Sequence, residues 1–458
     1  MISRAAVNDF VLNRLPAGWQ SGSAVPDEFL QVWRERVGLA EKTGAGDNWV
    51  EFTADLGKIK LRGTGEIWCL LLSGDSGGNR TQLREFVSRA SASGRILLVI
   101  AGSLSALSTI KVGLAGVSRL VTITPEMLHE AISGDNWTEL FASRIRQTLP
   151  LRALIAFDIA VSAQGGMFYG RGDELGRLHD EAKINFIIAG PGKIGKTSLV
   201  RQYHLRLKRE GRASNTFYVD FFECADRSPL HWPRFLALKI DGSLNSSKVT
   251  LQDLPNFLRR FRRTLGSTPT LILDEMDEII SHSENTRQLL ASIEKQELCR
   301  FIFCGRGEVY KAARNSQTGL GGRFRLMRLE PLDEASACRL FSEPLESLGL
   351  KFLDREKILS HVLHMTGRLP QLIQYYGQSL AEMAVRASSY TLDASSIEKL
   401  NNDFETAQYF TSPLEDLSSP EIKLVAYCLL QDQSNQGSIA RLQSLLARHR
   451  IEFPVEEL

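Results

Sequence analysis

The chain has 458 residues, 43% of them hydrophobic and 24% charged, with a formal net charge of +2. That length suits about three domains, and the composition is ordinary for a soluble globular chain. It excludes a globally basic nucleic-acid-binding protein, leaving room only for a local basic patch. Six cysteines (Cys69, Cys224, Cys299, Cys304, Cys338, Cys428) show no C-x-x-C or Cys/His ligand spacing. Most lie in apolar runs, which predicts buried free thiols and a reducing, cytoplasmic setting. The opening MISRAAVNDF lacks the apolar core of a signal peptide. The longest apolar runs, such as Ile96 to Ala101, are too short to span a bilayer, so no membrane partner is expected.

Residues 1 to about 160 read as a first unit, holding five of the six tryptophans (Trp19, Trp33, Trp49, Trp68, Trp137). Pro26 to Leu39 has helical apolar spacing, with the proline suited to a first helical position. Short strands are predicted at Trp49 to Thr53, Lys58 to Leu61, Glu66 to Leu72, Arg95 to Ala101 and Arg119 to Ile123. Helices are predicted at Gln82 to Ala92, Pro125 to Ile132 and Trp137 to Leu149. The alternation predicts a small α/β domain, from which Leu151 to Ser162 leads on. Within it, Ser73 to Gly78 contains GDSGG, the letters of a serine-protease nucleophile loop. The first histidine, His129, comes after Ser76. The His and Asp of that triad precede the serine, so a Gly/Asp/Ser turn ending a strand is the reading.

The densest chemistry begins at Ile184, in INFIIAGPGKIGKTSLV. The mostly apolar Ile184 to Ala189 predicts a buried parallel strand. Gly190-Pro191-Gly192-Lys193-Ile194-Gly195-Lys196-Thr197 then fits G-x-x-x-x-G-K-[ST] without mismatch, and Ser198 onward has helical spacing. The glycines let backbone N–H groups turn inward as a nest for phosphate oxygens, and the helix N-terminus adds a favourable dipole end. Lys196 is expected at the β- and γ-phosphates and the Thr197 hydroxyl on Mg²⁺. The stretch Gly190 to Ser198 is thus the predicted cradle for ATP or ADP.

Thr216 to Phe222 predicts a second buried strand, followed by helices at Trp232 to Leu238 and Asp253 to Leu265. Arg259, Arg260, Arg262 and Arg263 cluster on the latter; such a run is more often a solvated helix face than a polyanion site. Leu271 to Glu275, LILDE, is an apolar strand ending in two carboxylates. A strand end beside the phosphate loop suits Asp274 to the Mg²⁺ shell with Thr197. Glu275 is placed to orient and deprotonate the attacking water. Asp277 follows as a further brace of the metal site or as a helix cap. Arg300 to Arg306 is the next apolar strand, and Arg306 at its end suits a planar cation contacting the γ-phosphate. Phe324 to Leu329 is the last predicted strand. Leu329 to Ala335 then starts a helix, and Pro370 precedes another from Gln371 to Ala384. His361 and His364 have no acidic or thiol partner nearby in sequence and read as ordinary helix residues.

These elements, in order, resemble the STAND class of P-loop NTPases, signal-transduction relatives of the AAA+ ATPases. Phe168-Tyr-Gly170-Arg171-Gly-Asp-Glu174-Leu175 is similar to the F-x-G-R-x-x-E-L element that opens their nucleotide domain. The resemblance implies Phe168, Gly170 and Arg171 against adenine and ribose, with Glu174 and Leu175 packing the first helix. It gives Arg306 a sensor role and makes Leu329 to Ala335 the start of a helical lid. Thr366-Gly-Arg-Leu-Pro370 resembles the G-x-P element whose proline touches adenine, although Arg368 stands where the glycine belongs and Gly367 comes one place early. Phe168 with Pro370, and the lack of an N-K-x-D guanine motif, favours adenine. Ser418 to Gln431 and Ser438 to His449 resemble the first two helices of a winged helix. The chain stops where a third would begin, as a minimal module or as part of a longer protein.

The expected architecture is therefore α/β. It comprises an N-terminal effector or partner-binding domain (1–160), a parallel-sheet P-loop ATPase domain (165–330), a helical lid (331–408) and a winged-helix-like segment (410–458). The resemblance implies a slow Mg²⁺-dependent ATPase switch whose nucleotide state governs homo-oligomerisation or a protein partner in signalling, with bacterial defence or regulation as the setting. The alternative is a DNA-binding ATPase resembling origin-recognition or transposition loaders, which the near-neutral charge disfavours.

Overall fold

The structure is a computed structural model. It describes residues 25–46, 49–62, 64–72, 85–88, 95–101, 119–133, 136–163, 165–242, 248–315 and 320–403, with isolated positions beyond. The GDSGG turn, Cys428, the linker Phe410 to Asp416 and both winged-helix-like stretches lie outside the described residues. The chain divides into two compact units, Met1–Leu392 and Asp393–Leu458.

The first unit begins with helix α1 (Val25–Arg36) and a five-stranded sheet in the order β1 (Ala40–Gly46), β2 (Trp49–Ala54), β3 (Ile67–Leu72), β4 (Leu97–Ala101), β5 (Leu120–Ile123). Pairing is antiparallel from β1 to β3 and parallel from β3 to β5. Helices α2 (Pro125–Ser133), α3 (Trp137–Thr148) and the single turn α4 (Leu151–Leu154) follow. Trp33 of α1 is fully buried between Phe52 of β2, at 5.3 Å edge-on, and Phe141 of α3, stacked at 5.8 Å. Strand β1, AEKTGAG, has no apolar alternation to announce it. It is an edge strand, irregular between Lys42 and Gly44, where charge and a bulge limit further pairing.

The strand expected at Lys58 to Leu61 is instead a run of turns. The Asp55 carboxylate accepts the Gly57 N–H at 2.6 Å, and the Thr64 hydroxyl donates to the carbonyls of Ile59 and Leu61. These short-range bonds take backbone groups that a ladder needs, while Ile59 and Leu61 still bury.

The central sheet has the order β10-β6-β9-β8-β7 and is parallel throughout. Its strands are β6 (Phe186–Ala189), β7 (Thr216–Asp220), β8 (Thr270–Asp274), β9 (Arg300–Gly305) and β10 (Arg325–Arg328). Helices α5 (Gly172–Asp180), α6 (Lys196–Arg209), α7 (Trp232–Asp241), α8 (Leu254–Leu265), α9 (Asp277–His282), α10 (Glu284–Lys295) and α11 (Gly307–Arg314) surround it. Side chains alternate cleanly between its two faces. Ile187, Leu271, Leu273, Phe301 and Phe303 join one core, while Phe186, Ile188, Ile272, Ile302 and Cys304 join the other. Burial on both faces is what a parallel sheet requires, and it explains the unbroken apolar runs in the sequence. From β6 the chain passes to the far edge at β7, whereas β10 returns to the other side of β6. Strand β6 therefore lies at the switch of strand order, where open α/β sheets bind ligands beyond the strand C-termini.

Three helices complete the unit: α12 (Glu334–Ser347), α13 (Arg355–Thr366) and α14 (Pro370–Ala387), with the short parallel pair β11 (Lys351–Phe352) and β12 (Thr391–Leu392). Asp333 caps α12 by accepting the Ser336 N–H at 2.8 Å. The ring of Phe157 seats against Gly377 of α14, where even a Cβ would approach it to 2.4 Å. In the second unit, α15 (Ala394–Asn401) starts with a capping box between Asp393 and Ser396. The cysteines described are free, and Cys69, Cys224, Cys299 and Cys304 are buried, as their apolar settings predict. No described helix is long and apolar enough to cross a membrane.

Candidate functional site

The loop between β6 and α6 folds around its own lysine. Lys193 and the N-cap residue Gly195 take left-handed conformations, with φ of 65° and 95°. The buried Lys196 donates from Nζ to the carbonyls of Gly190 and Pro191, both at 2.9 Å. Burial lowers its pKa, and neighbouring Arg306 pushes the same way, against the pull of Glu275 and Asp274. A lysine in that position gains from an arriving anion, and the N-terminus of α6 offers N–H donors to the same anion.

Beside the loop, β7 and β8 bring Asp220 and Asp274 into register. Asp274 is almost wholly buried. Its carboxylate accepts the Tyr218 hydroxyl at 3.0 Å and the Glu275 N–H at 3.0 Å, and it bonds the Thr197 side chain. Burial raises its pKa and Asp220 adds to the rise, while those hydrogen bonds oppose it. Glu275 is left-handed, at φ 56°, a conformation costing a non-glycine residue about 1–2 kcal/mol. The turn brings Glu275 to the cavity wall. Burial, then Asp274, raise the pKa of its carboxylate.

Asp277 has a role that the sequence left between metal brace and helix cap. Its carboxylate accepts the backbone N–H groups of Arg306 at 2.6 Å, Glu308 at 3.0 Å and Val309 at 3.2 Å. It thereby caps α11 and fixes the backbone of Arg306 from the start of α9. Gly305 permits this approach: a Cβ there would lie 2.1 Å from Val309 and 2.7 Å from the Asp277 carboxylate. The Arg306 guanidinium reaches the loop, with its Cζ 3.9 Å from a Cβ built on Gly192.

A cavity of about 260 Å³ opens over the loop. Phe168, Arg171, Gly192 to Ser198, Glu275, Arg306 and Pro370 line it, so most of the predicted residues converge. Gly190 and Pro191 lie behind it, as acceptors for Lys196, and Asp274 lies beneath it. Gly170 faces the lid: its φ is 63°, and a Cβ would meet Ser336 of α12 at 2.6 Å. Arg171 borders the cavity, but its guanidinium is engaged elsewhere. It bonds Glu174 at 2.9 Å and the carbonyls of Ile194 at 3.2 Å and Glu330 at 2.6 Å. In this structure it ties the phosphate loop to the start of the lid rather than reaching into the base-binding side. The lid closes from above, with the Gln371 N–H 3.4 Å from the Lys193 carbonyl.

One wall has no forerunner in the sequence reading. Asp158 to Ala163, the connection from the N-terminal region, borders the same cavity. Gln371 donates to the Ile159 carbonyl at 3.3 Å, and the Ala163 N–H donates to the Ser198 hydroxyl at 3.0 Å. The residues of this strip are apolar or small, apart from Asp158, and match no motif, so only the folded chain identifies them.

The donor set fits Mg²⁺ and a nucleotide. Among the described residues no group of three or more His, Cys, Asp or Glu forms a metal cage. Mg²⁺ needs none, because it is held by one or two protein oxygens, substrate phosphates and water. Thr197 and Asp274 already share a hydrogen bond and supply such oxygens. When bound, the ion would neutralise phosphate charge. Lys196 and the loop N–H groups are arranged to bind phosphates, Glu275 to accept a proton from water, and Arg306 to meet charge across the loop.

Residues 179–312 match the family described as AAA domain. A Walker-type ATPase of Pyrococcus abyssi is similar at 15% identity and a TM-score of 0.46, over 64% of this chain and 92% of that one. The ORC1 protein of Aeropyrum pernix, solved in complex with DNA, is similar at 15% identity and 0.42, over 63% and 81%. The RuvB Holliday junction branch migration motor of Thermotoga maritima follows at 15% and 0.36, over 64% and 85%. No curated protein matches the chain. Strand order, phosphate loop and family match together make the region around 179–312 a P-loop ATPase fold of the AAA type.

Proposed function

We propose that the chain is an ATP-binding and ATP-hydrolysing switch of the STAND type. The observation that carries this reading is the three-sided cavity. Its floor is the phosphate loop, one side is the lid at Pro370 and Gln371, and another is the strip 158–163 leading from the N-terminal region. A nucleotide there touches all three, so exchange of ADP for ATP has a physical route to the N-terminal sheet. A ligand shifts such an equilibrium only through its differential affinity for the two states. The γ-phosphate, met by Lys196 and Arg306, supplies that difference. Hydrolysis, with Glu275 as base and Mg²⁺ on Thr197 and Asp274, resets the switch.

In this reading residues 1–160 are the effector or partner-binding part, 165–330 the ATPase, 331–408 the lid and 410–458 a winged-helix-like segment, working in the cytoplasm. Phe168 and Pro370 flank adenine. The test is size-resolved mass with ADP, with Mg-ATP, and with Mg-ATP on Lys196→Ala. Larger assemblies with Mg-ATP on the wild type alone support the switch. One mass in every condition rules out nucleotide-driven assembly.

A further inference from the structure

Helix α8 carries Arg259, Arg260, Arg262 and Arg263, and among the described residues none of them forms an ion pair with a carboxylate. Their partners are neutral. Arg259 donates to Asn256 at 2.6 Å and to Gln296 at 2.5 Å, and Arg262 donates to the Glu297 carbonyl at 2.7 Å. Two guanidiniums are therefore held in place by neutral partners, while Arg260, whose charge also acts on Asp253, and Arg263 stand exposed. An open groove of about 520 Å³ is lined by Lys248, Arg259, Arg260 and Arg263. The carboxylate on that groove, Asp253, is bonded by the Thr250 hydroxyl at 2.6 Å and the Thr250 N–H at 3.2 Å. A second groove, of about 400 Å³, runs on past Arg262 to Ser267 and Thr268. The helix dipole accounts for basic residues in the last turn, Arg262 and Arg263. It does not account for Arg259, Arg260 or Lys248.

The patch is also apart from the nucleotide cavity. Thr268 leads into the N-terminal end of β8, whereas Asp274 and Glu275 leave its C-terminal end. We infer that this face of α8 binds the phosphate backbone of duplex nucleic acid, independently of sequence. Fixed guanidiniums suit phosphate, and five cations on one short surface match a few consecutive phosphates. Single strands are disfavoured because the aromatics of this helix, Phe257 and Phe261, belong to the core and leave no stacking platform. The chain as a whole is nearly neutral, so the attraction is local and salt-sensitive.

The test is binding of the full chain to a fluorescent DNA duplex of about 20 base pairs at several salt concentrations. The expected log–log slope is about −3 to −4, from about 0.9 per phosphate contact. R260E/R263E should bind at least about tenfold more weakly, with a slope shallower by about 2. R260K/R263K should retain most of the binding, while ATP hydrolysis and thermal unfolding stay unchanged in both. Absence of duplex binding at low salt would overturn the inference. So would unchanged affinity in R260E/R263E, or a preference for single strands or polyglutamate.

Discussion

The two five-stranded sheets of this chain bury comparable apolar strands, yet among the described residues only one gathers chemistry. In the central sheet every strand runs the same way, so β6, β8 and β9 end together. Their final residues and the loops after them deliver Lys196, Thr197, Asp274, Glu275 and Arg306 to one place. In the N-terminal sheet β2 runs against the other four strands, so its C-terminal end lies away from theirs. Aromatic residues of this sheet and its helices are employed in packing, as in the cluster of Trp33 on α1, Phe52 on β2 and Phe141 on α3. The contrast separates residues kept for convergence at a site from residues kept for stability, and substitutions can test it.

The largest effect is expected from Lys196→Ala. Loss of the ammonium over the loop should remove nucleotide binding, seen as a fall of at least about a hundredfold in titration with a fluorescent ATP analogue. Next, Glu275→Gln should bind ATP normally but hydrolyse it roughly 10²–10⁴ times more slowly. Because burial and Asp274 raise the pKa of Glu275, its base form is lost as pH falls through that raised value. The acid limb of the wild-type rate should therefore lie above the ordinary glutamate range, and it should vanish in Glu275→Gln. Unchanged hydrolysis would remove Glu275 from the mechanism.

The opposite signature is expected from helix α1, which packs on the N-terminal sheet. Trp33→Ala should lower stability by about 3–5 kcal/mol, read from denaturant unfolding, with turnover per folded molecule little changed. A large fall in turnover would show the two sheets to be less separable than their geometry indicates. Asp277→Ala lies between these cases. Three N–H groups lose their acceptor, at a cost of about 1–3 kcal/mol, and hydrolysis should fall roughly tenfold as Arg306 loses its anchor, with ATP affinity nearly kept. The smallest effect, under about 1 kcal/mol, is expected from Tyr169→Phe, which removes the 2.7 Å bond to Glu343 at the lid.

Legibility in the sequence followed the same divide. The central strands were readable because burial on both faces demands unbroken apolar runs, and the phosphate loop because its backbone demands glycine at fixed places. Strand β1 was not, since an edge strand needs no apolar face. Lys58 to Leu61 read as a strand from apolar spacing alone, but Asp55 and Thr64 captured its backbone. The cavity wall at 158–163 left no signal, because its residues, apolar or small apart from Asp158, match no motif. Arg171 was placed by resemblance against the nucleotide, and the fold engages its guanidinium with Glu174 and two carbonyls. Asp277 was visible only as a choice between two roles until the N–H groups of Arg306, Glu308 and Val309 were placed around it.

The claim that most needs testing is that one nucleotide touches the phosphate loop, the lid and the strip from the N-terminal region. Amide hydrogen exchange of the full chain with no nucleotide, with ADP, and with a non-hydrolysable ATP analogue addresses it directly. Protection is expected at 190–198, at the start of α14 and across 158–163, with the last differing between ADP and the ATP analogue. Protection confined to the phosphate loop, with 158–163 exchanging alike in all three states, would contradict the account.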